Sequence, residues 1–193
     1  MPKRCAWHDG WWHGATHRPS PNFGPRPSGV EVTLAVVHAI SLPPGHWRGD
    51  AVERFFTNTL DAAAHPYFET IQHLRVSAHF LVRRSGRVLQ FVSCEQRAWH
   101  AGVSSWRGRE NCNDWSIGIE LEGLDGLSFD SAQYFALAHL LRVLCCCYGL
   151  REVVGHEHIA PGRKFDPGPG FEWRRLRRAL RGAGPSLAPC AMS

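Results

Sequence analysis

Between Gly155 and Gly168 the chain reads GHEHIAPGRKFDPG, placing His156, His158, Lys164 and Asp166 in one short stretch. Its prolines fix φ and lack an N–H donor, and its glycines accept conformations closed to other residues, so the stretch is expected to be a shaped loop. Imidazole and carboxylate groups held together in this way can bind a metal ion. Zinc hydrolases use three protein ligands and leave a fourth position for water. His38, at the end of the apolar run TLAVVHAI, can supply one imidazole. His156 and Asp166, ten positions apart, can supply a second imidazole and a carboxylate, with His158 a competing choice two residues from His156. The chain has 12 histidines, so spacing alone does not choose among such trios.

Two further residues extend the chemistry. WSIGIELEG, from Trp115 to Gly123, places Glu120 in an otherwise apolar strand on a face opened by Gly118. A carboxylate there can meet an activated water, whereas a one-sided sheet would turn Glu120 or Glu122 to solvent. Lys164, two residues before Asp166, can set a cation over a developing oxyanion, or be an ordinary surface lysine. Other familiar sites are absent: the sequence has no GxSxG elbow and no HExxH helix. Cys145, Cys146 and Cys147 are consecutive, and on a helix such residues point about 100° apart. They are read as small apolar residues, not as joint ligands of one metal.

These residues need elements to position them. Thr33–Ile40 is expected to be a buried strand stopped by LPPG, and Ser77–Val92 a hairpin turning at Ser85-Gly86. In Trp115–Gly123, Ile117, Ile119 and Leu121 alternate with Ser116, Gly118, Glu120 and Glu122, the period of a strand. Helical spacing runs over Asp50–Ala64, with Val52, Phe55, Phe56 and Leu60 on one side, and again over Phe171–Arg181. Phe129–Tyr148 is apolar nearly all round and is expected to be a central helix. The economical assembly is a mixed α/β single domain, a central mixed β-sheet flanked by helices. Its expected bounds are 20–182, after an extended N-terminal arm (1–19) rich in Pro, Gly and Ser at its end, and before a flexible C-terminal tail (183–193).

Composition narrows the function classes. A chain of 193 residues with 44% hydrophobic and 20% charged residues is an ordinary globular protein. The net charge of +5 gathers largely in WRRLRRALR, Trp173–Arg181. There Trp173, Leu176, Ala179 and Leu180 share a helical face and leave the arginines solvated, so no nucleic-acid partner is expected. No apolar run reaches the roughly 20 residues that cross a bilayer. The start, MPKRCAWHDGWWHGATH, lacks the apolar segment of a secretory signal, and seven cysteines without framework spacing suit reduced thiols. A cytoplasmic monomer is expected.

Six segments in order, VVHAISLPPG, HPYF, HLRVSAHFLVRRSG, RAWHAGVSSW, CNDWSIGIELEG and GHEHIAPGRKFDPGPGFEW, resemble the type 2 zinc amidases related to peptidoglycan-recognition proteins. The likeness runs from about Ser20 to Leu180. It implies an N-acetylmuramoyl-L-alanine amidase fold with one zinc per chain, held by His38, His156 and Asp166, with Glu120 and Lys164 as catalytic residues. It further implies that Tyr67, Arg75 and Trp99 border the substrate groove, that His79 and His100 support the site or line the groove, and that His158 occupies a variable position. The implied reaction is hydrolysis of the lactyl–L-alanine amide of 1,6-anhydro-N-acetylmuramyl peptides, a small-molecule substrate, in peptidoglycan recycling. That activity would indirectly set β-lactamase induction. A wall-lytic amidase and a metal-free muropeptide-binding module are the rival readings. One departure from the family pattern is Ala39, where an asparagine usually follows the strand histidine. No side-chain hydrogen bond can reach substrate from that position.

Overall fold

The computed structural model describes residues 7–181 and the backbone of 188–189. Its centre is a seven-stranded mixed sheet. In spatial order the strands are Ala188–Pro189, Glu152–Gly155, Leu34–Ile40, Ser116–Glu122, Phe80–Val82, Val88–Gln90 and Thr16–His17. The four from Glu152–Gly155 to Phe80–Val82 are mutually parallel, while Phe80–Val82 and Val88–Gln90 pair antiparallel. The hairpin turn passes through Gly86 at φ +84°, where a Cβ would lie 2.9 Å from the Ala132 carbonyl oxygen. Only glycine fits there.

Alternation along the strands divides the interior in two. Ala35, Val37, Ile117, Ile119, Leu121 and Val153 face one way and pack against Leu137, Leu140, Leu141, Leu144 and Leu176 from the helices Ser131–Tyr148 and Trp173–Leu180. Burying each such side chain contributes roughly 1.5–3 kcal/mol. On the opposite face, Leu81 and Leu89 meet Phe55, Phe56, Phe68 and Ile71 from the short helices Ala51–Phe56 and Pro66–Ile71. Leu34, Val36 and Val154 meet Trp115 and Ile159. Every residue of Ser116–Glu122 is therefore buried, and the strand does not belong to a one-sided sheet.

Three expectations are corrected. Asp50–Ala64 is not one helix: Ala51–Phe56 ends at Thr57, Asn58 turns left-handed at φ +58°, and a separate 3₁₀ turn forms at Ala62–Ala64. The Asp61 carboxylate accepts from the Ala63 N–H and starts that turn, so local side-chain capping overrides the helical period. Ser131–Tyr148 is an outer layer, not a central helix, because the two-sided sheet already occupies the centre; Phe135 is 77% exposed. The N-terminal segment is extended but docked. Trp7–His8 pairs with Trp11–Trp12, Thr16–His17 joins the main sheet, and Phe23–Pro25 pairs with Gln96–Ala98. Trp12 is buried, and the Gln90 amide accepts from the Trp12 N–H and donates to the Gly10 carbonyl, both at 2.7 Å. The expected tail lies outside the described residues apart from Ala188–Pro189, which pairs with Glu152–Val153.

Candidate active site

In parallel strands, residues in register project side chains to the same face, and Glu120 is in register with His38 while Gly155 is in register with Val37. His38 and Glu120, near the carboxyl ends of their strands, and His156, just past the end of its own, therefore gather on one face where open α/β sheets commonly bind ligands. His156 opens a one-turn helix, His156–Ile159. The loop after it returns so that the Glu157 N–H donates to the Asp166 carbonyl at 2.9 Å, bringing Asp166 back over the strand ends. Gly155 permits this return, since a Cβ there would lie 2.8 Å from Pro167 Cδ.

His38 Nδ1 and His156 Nδ1 lie 3.0 Å apart, and the Asp166 carboxylate lies 3.3 Å from the first and 3.1 Å from the second. The outer nitrogens fix the tautomers. Ser116 Oγ gives its proton to the Cys112 carbonyl and so accepts from His100 Nε2–H at 3.3 Å. His100 Nδ1 is then a lone pair, which accepts from His38 Nε2–H at 2.9 Å. His156 Nε2–H donates to the Ala101 carbonyl at 3.2 Å. In the neutral rings both Nδ1 lone pairs face one another beside a carboxylate, a donor set that a cation satisfies and that hydrogen bonds alone do not. Burial supports the neutral form of His38, lowering its pKa to about 4, with the neighbouring His156 adding to the shift. Tetrahedral zinc with nitrogen ligands separates them by about 3.3 Å, close to what is found here. His38, His156 and Asp166 thus fit a metal ion, and they are the one such group among the described residues.

His158 stands apart. Its Nδ1 accepts from the Gly155 N–H at 2.8 Å, and its ring packs edge-on against Trp173. Gly118 has a steric purpose: a Cβ there would lie 2.4 Å from His100 Cγ, so the glycine gives that ring its place behind His38. The Gly118 N–H donates to His79 Nδ1 at 3.0 Å, which sets His79 behind His100 and away from the cleft. Sequence patterns did not mark Ser116 or the Ala101 carbonyl as supports, since a hydroxyl and a backbone carbonyl leave little trace. A glycine in the middle of an apolar strand is the signal that could have revealed the close packing.

The three candidate ligands open onto a cleft of about 340 Å³. Glu120 and Lys164 line it beside them, and Tyr67 and Trp99 lie on its wall with Leu42, Phe55 and Ile71. Glu120 Oε2 is buried without a hydrogen-bond partner among the described residues. Burial holds the Glu120 carboxyl well above the usual range, the Asp166 charge adds to this, and Lys164 opposes it. Glu122 differs: it is paired with Arg83 and accepts from the Arg84 N–H at 3.0 Å. Arg75 is the one expected groove residue outside the cleft lining. It is exposed in the chain that follows the helix Pro66–Ile71 and donates to the carbonyls of Gln72 and Leu74. Ala39 lines the cleft, and its backbone N–H donates to Asp166 at 3.4 Å.

A mixed sheet with this donor set and a buried carboxylate at its strand ends suits metal-assisted hydrolysis, and comparison with known proteins gives the class. The chain belongs to the N-acetylmuramoyl-L-alanine amidase family, whose model matches residues 28–169. It is 54% identical over 170 residues to the 1,6-anhydro-N-acetylmuramyl-L-alanine amidase AmpD of Escherichia coli K12, covering 87% of this chain and 93% of that one. The AmpD of Haemophilus influenzae is 49% identical, with 84% and 90% covered. A crystal structure of a selenomethionine AmpD derivative superposes with TM-score 0.86 at 50% identity over 90% of this chain and 98% of that chain. The amidase AmiD of E. coli, solved with anhydro-N-acetylmuramic acid-L-Ala-D-γ-Glu-L-Lys, superposes with TM-score 0.57 at 30% identity over 80% of this chain and 60% of that chain.

Proposed function

We propose that this chain is a zinc-dependent amidase that hydrolyses the lactyl–L-alanine amide of 1,6-anhydro-N-acetylmuramyl peptides during peptidoglycan recycling. The observation that carries the reading is the convergence of His38 Nδ1, His156 Nδ1 and the Asp166 carboxylate beside the unpartnered Glu120 oxygen. Likeness to AmpD over most of both chains supplies the substrate class. Residues 20–182 form the amidase domain, which acts as a cytoplasmic monomer and, through the muropeptides it consumes, lowers the signal for β-lactamase induction. Consistent with this, no helix among the described residues is long and apolar enough to cross a membrane, and Cys94, Cys112, Cys145 and Cys146 are free of disulfides.

Zinc held by the trio would acidify a water toward neutrality and polarise the scissile carbonyl. Glu120 accepts the proton of the attacking water and delivers it to the leaving L-alanine amine. Its burial suits this shuttle, because a carboxyl whose pKa is raised by desolvation is a stronger base toward the water's proton than an exposed one. The Lys164 ammonium stabilises the negative charge that forms on the carbonyl oxygen. Tyr67 and Trp99 offer ring surfaces to the saccharide and the lactyl group. Arg75 takes part only if its side chain leaves its backbone acceptors.

The test is incubation of the purified protein with soluble anhydro-muropeptide, with and without chelator, read by mass spectrometry. The expected products are the free stem peptide and 1,6-anhydro-N-acetylmuramic acid, and chelator should abolish them. Comparable release from intact sacculi would favour a wall-lytic enzyme, and binding without cleavage would favour a recognition module.

A further inference from the structure

We infer that Asn113 is a positioning residue for the metal centre, acting on both histidine ligands at once through the dipeptide His100–Ala101. The inference rests on reading His38 and His156 as ligands. The Asn113 side-chain oxygen accepts from the His100 N–H at 3.0 Å and from the Ala101 N–H at 2.8 Å. This one atom therefore anchors the backbone of two consecutive residues, His100 and Ala101, through their N–H groups. Each residue supports a different ligand: the His100 ring accepts from His38 at 2.9 Å, and the Ala101 carbonyl, in the following peptide, accepts from His156 at 3.2 Å. Arg163 clamps the same dipeptide from the other side. Its guanidinium donates to the Ala101 carbonyl at 2.7 Å and to the Val103 carbonyl at 2.6 Å. Both lone pairs of the Ala101 carbonyl are thus used, one by the ligand and one by the clamp. Gly102, at φ +58°, lets the chain bend tightly enough for Arg163 to reach both carbonyls. Asn113 sits in the 3₁₀ turn Cys112–Asp114 that leads into the Glu120 strand, so the support directly precedes the element that carries the candidate base.

Partners that orient metal-bound imidazoles typically change metal affinity 10–100-fold when removed. The experiment titrates the full-length zinc-loaded protein with a competing chelator and compares Asn113→Ala, Asn113→Asp and His38→Ala with the parent. Asn113→Ala should raise the zinc Kd about 10–100-fold, because neither N–H then has its acceptor. Asn113→Asp keeps an oxygen at that place and should stay within about threefold, as the loss of less than one hydrogen bond would predict. Rescue by the acceptor is what a packing role alone would not give. If Asn113→Ala holds zinc as the parent does while His38→Ala loses it, the positioning role is overturned and the ligand assignment survives. Equal losses in Asn113→Ala and Asn113→Asp would also overturn it. Retention of zinc by His38→Ala would instead remove the reading on which the inference rests. Should Asn113→Ala fail to fold, Arg163→Ala takes its place: a Kd raised roughly 3–10-fold supports the clamp, and an unchanged Kd overturns it.

Discussion

Glu120 and Glu122 are two residues apart on one strand face, yet their surroundings assign them different work. Glu122 is committed to Arg83 and the Arg84 N–H, whereas Glu120 lines the cleft and its buried Oε2 has no hydrogen-bond partner among the described residues. Glu120→Gln should keep zinc and fold but lose about 10²–10⁴ in kcat, measured on anhydro-muropeptide. Glu122→Gln should keep most of its turnover and lose stability of about 1–2 kcal/mol, read from denaturant melts, because one charge-assisted bond to Arg83 is lost while Arg83 keeps Glu53. Lys164→Ala should hold zinc and lower kcat about 10²–10³-fold with little change in KM. Near-normal kcat would make Lys164 an ordinary surface lysine. Much of this site was legible at the residue scale. The loop composition and the strand glutamate suggested a metal hydrolase, and the family resemblance selected His156 over His158. The relay from Cys112 through Ser116 and His100 to His38 was not legible, because it joins atoms distant in sequence through a hydroxyl and a carbonyl.

Among the elements, strands were legible and helices were less so. Leu34–Ile40 was legible as a breaker-free β-branched run and Ser116–Glu122 from its alternation. Asp50–Ala64 broke because Asn58 and the Asp61 cap are local choices that the periodicity of Val52, Phe55, Phe56 and Leu60 does not record. The Glu120 strand carries the most demanding steric requirement. Gly118→Ala would drive a methyl group into the His100 ring, 2.4 Å from its Cγ, and should force that ring off His38. The expected outcome is a weakened zinc Kd together with a lowered melting temperature, the first read by chelator competition and the second by circular dichroism. Loss of stability with unchanged zinc affinity would show that His38 does not depend on His100.

For the whole molecule, the candidate ligands are set by a sheet and two hydrophobic layers that owe nothing to the metal. Chelation should therefore lower the melting temperature without unfolding the chain at room temperature. Zinc present at 100 times its Kd would add about 2.7 kcal/mol. Loss of far-ultraviolet dichroism on chelation would show instead that the metal is needed for the fold. The overall architecture was legible as a mixed sheet between helices. The docking of residues 7–17 was not, since Gly and Pro punctuation signals irregular chain and says nothing of what that chain covers.

That docking has a consequence for life at high protein concentration. An unpaired strand at the rim of a sheet is a template on which another chain can add itself, the first step toward aggregates. Here both rims end in strands of only two residues, Thr16–His17 and Ala188–Pro189, and the latter ends in a proline that has no N–H to offer. Removing residues up to His17 would strip the cover from Val88–Gln90 and open a hydrophobic rim. Light scattering of that truncated protein should rise with concentration while the parent stays monodisperse.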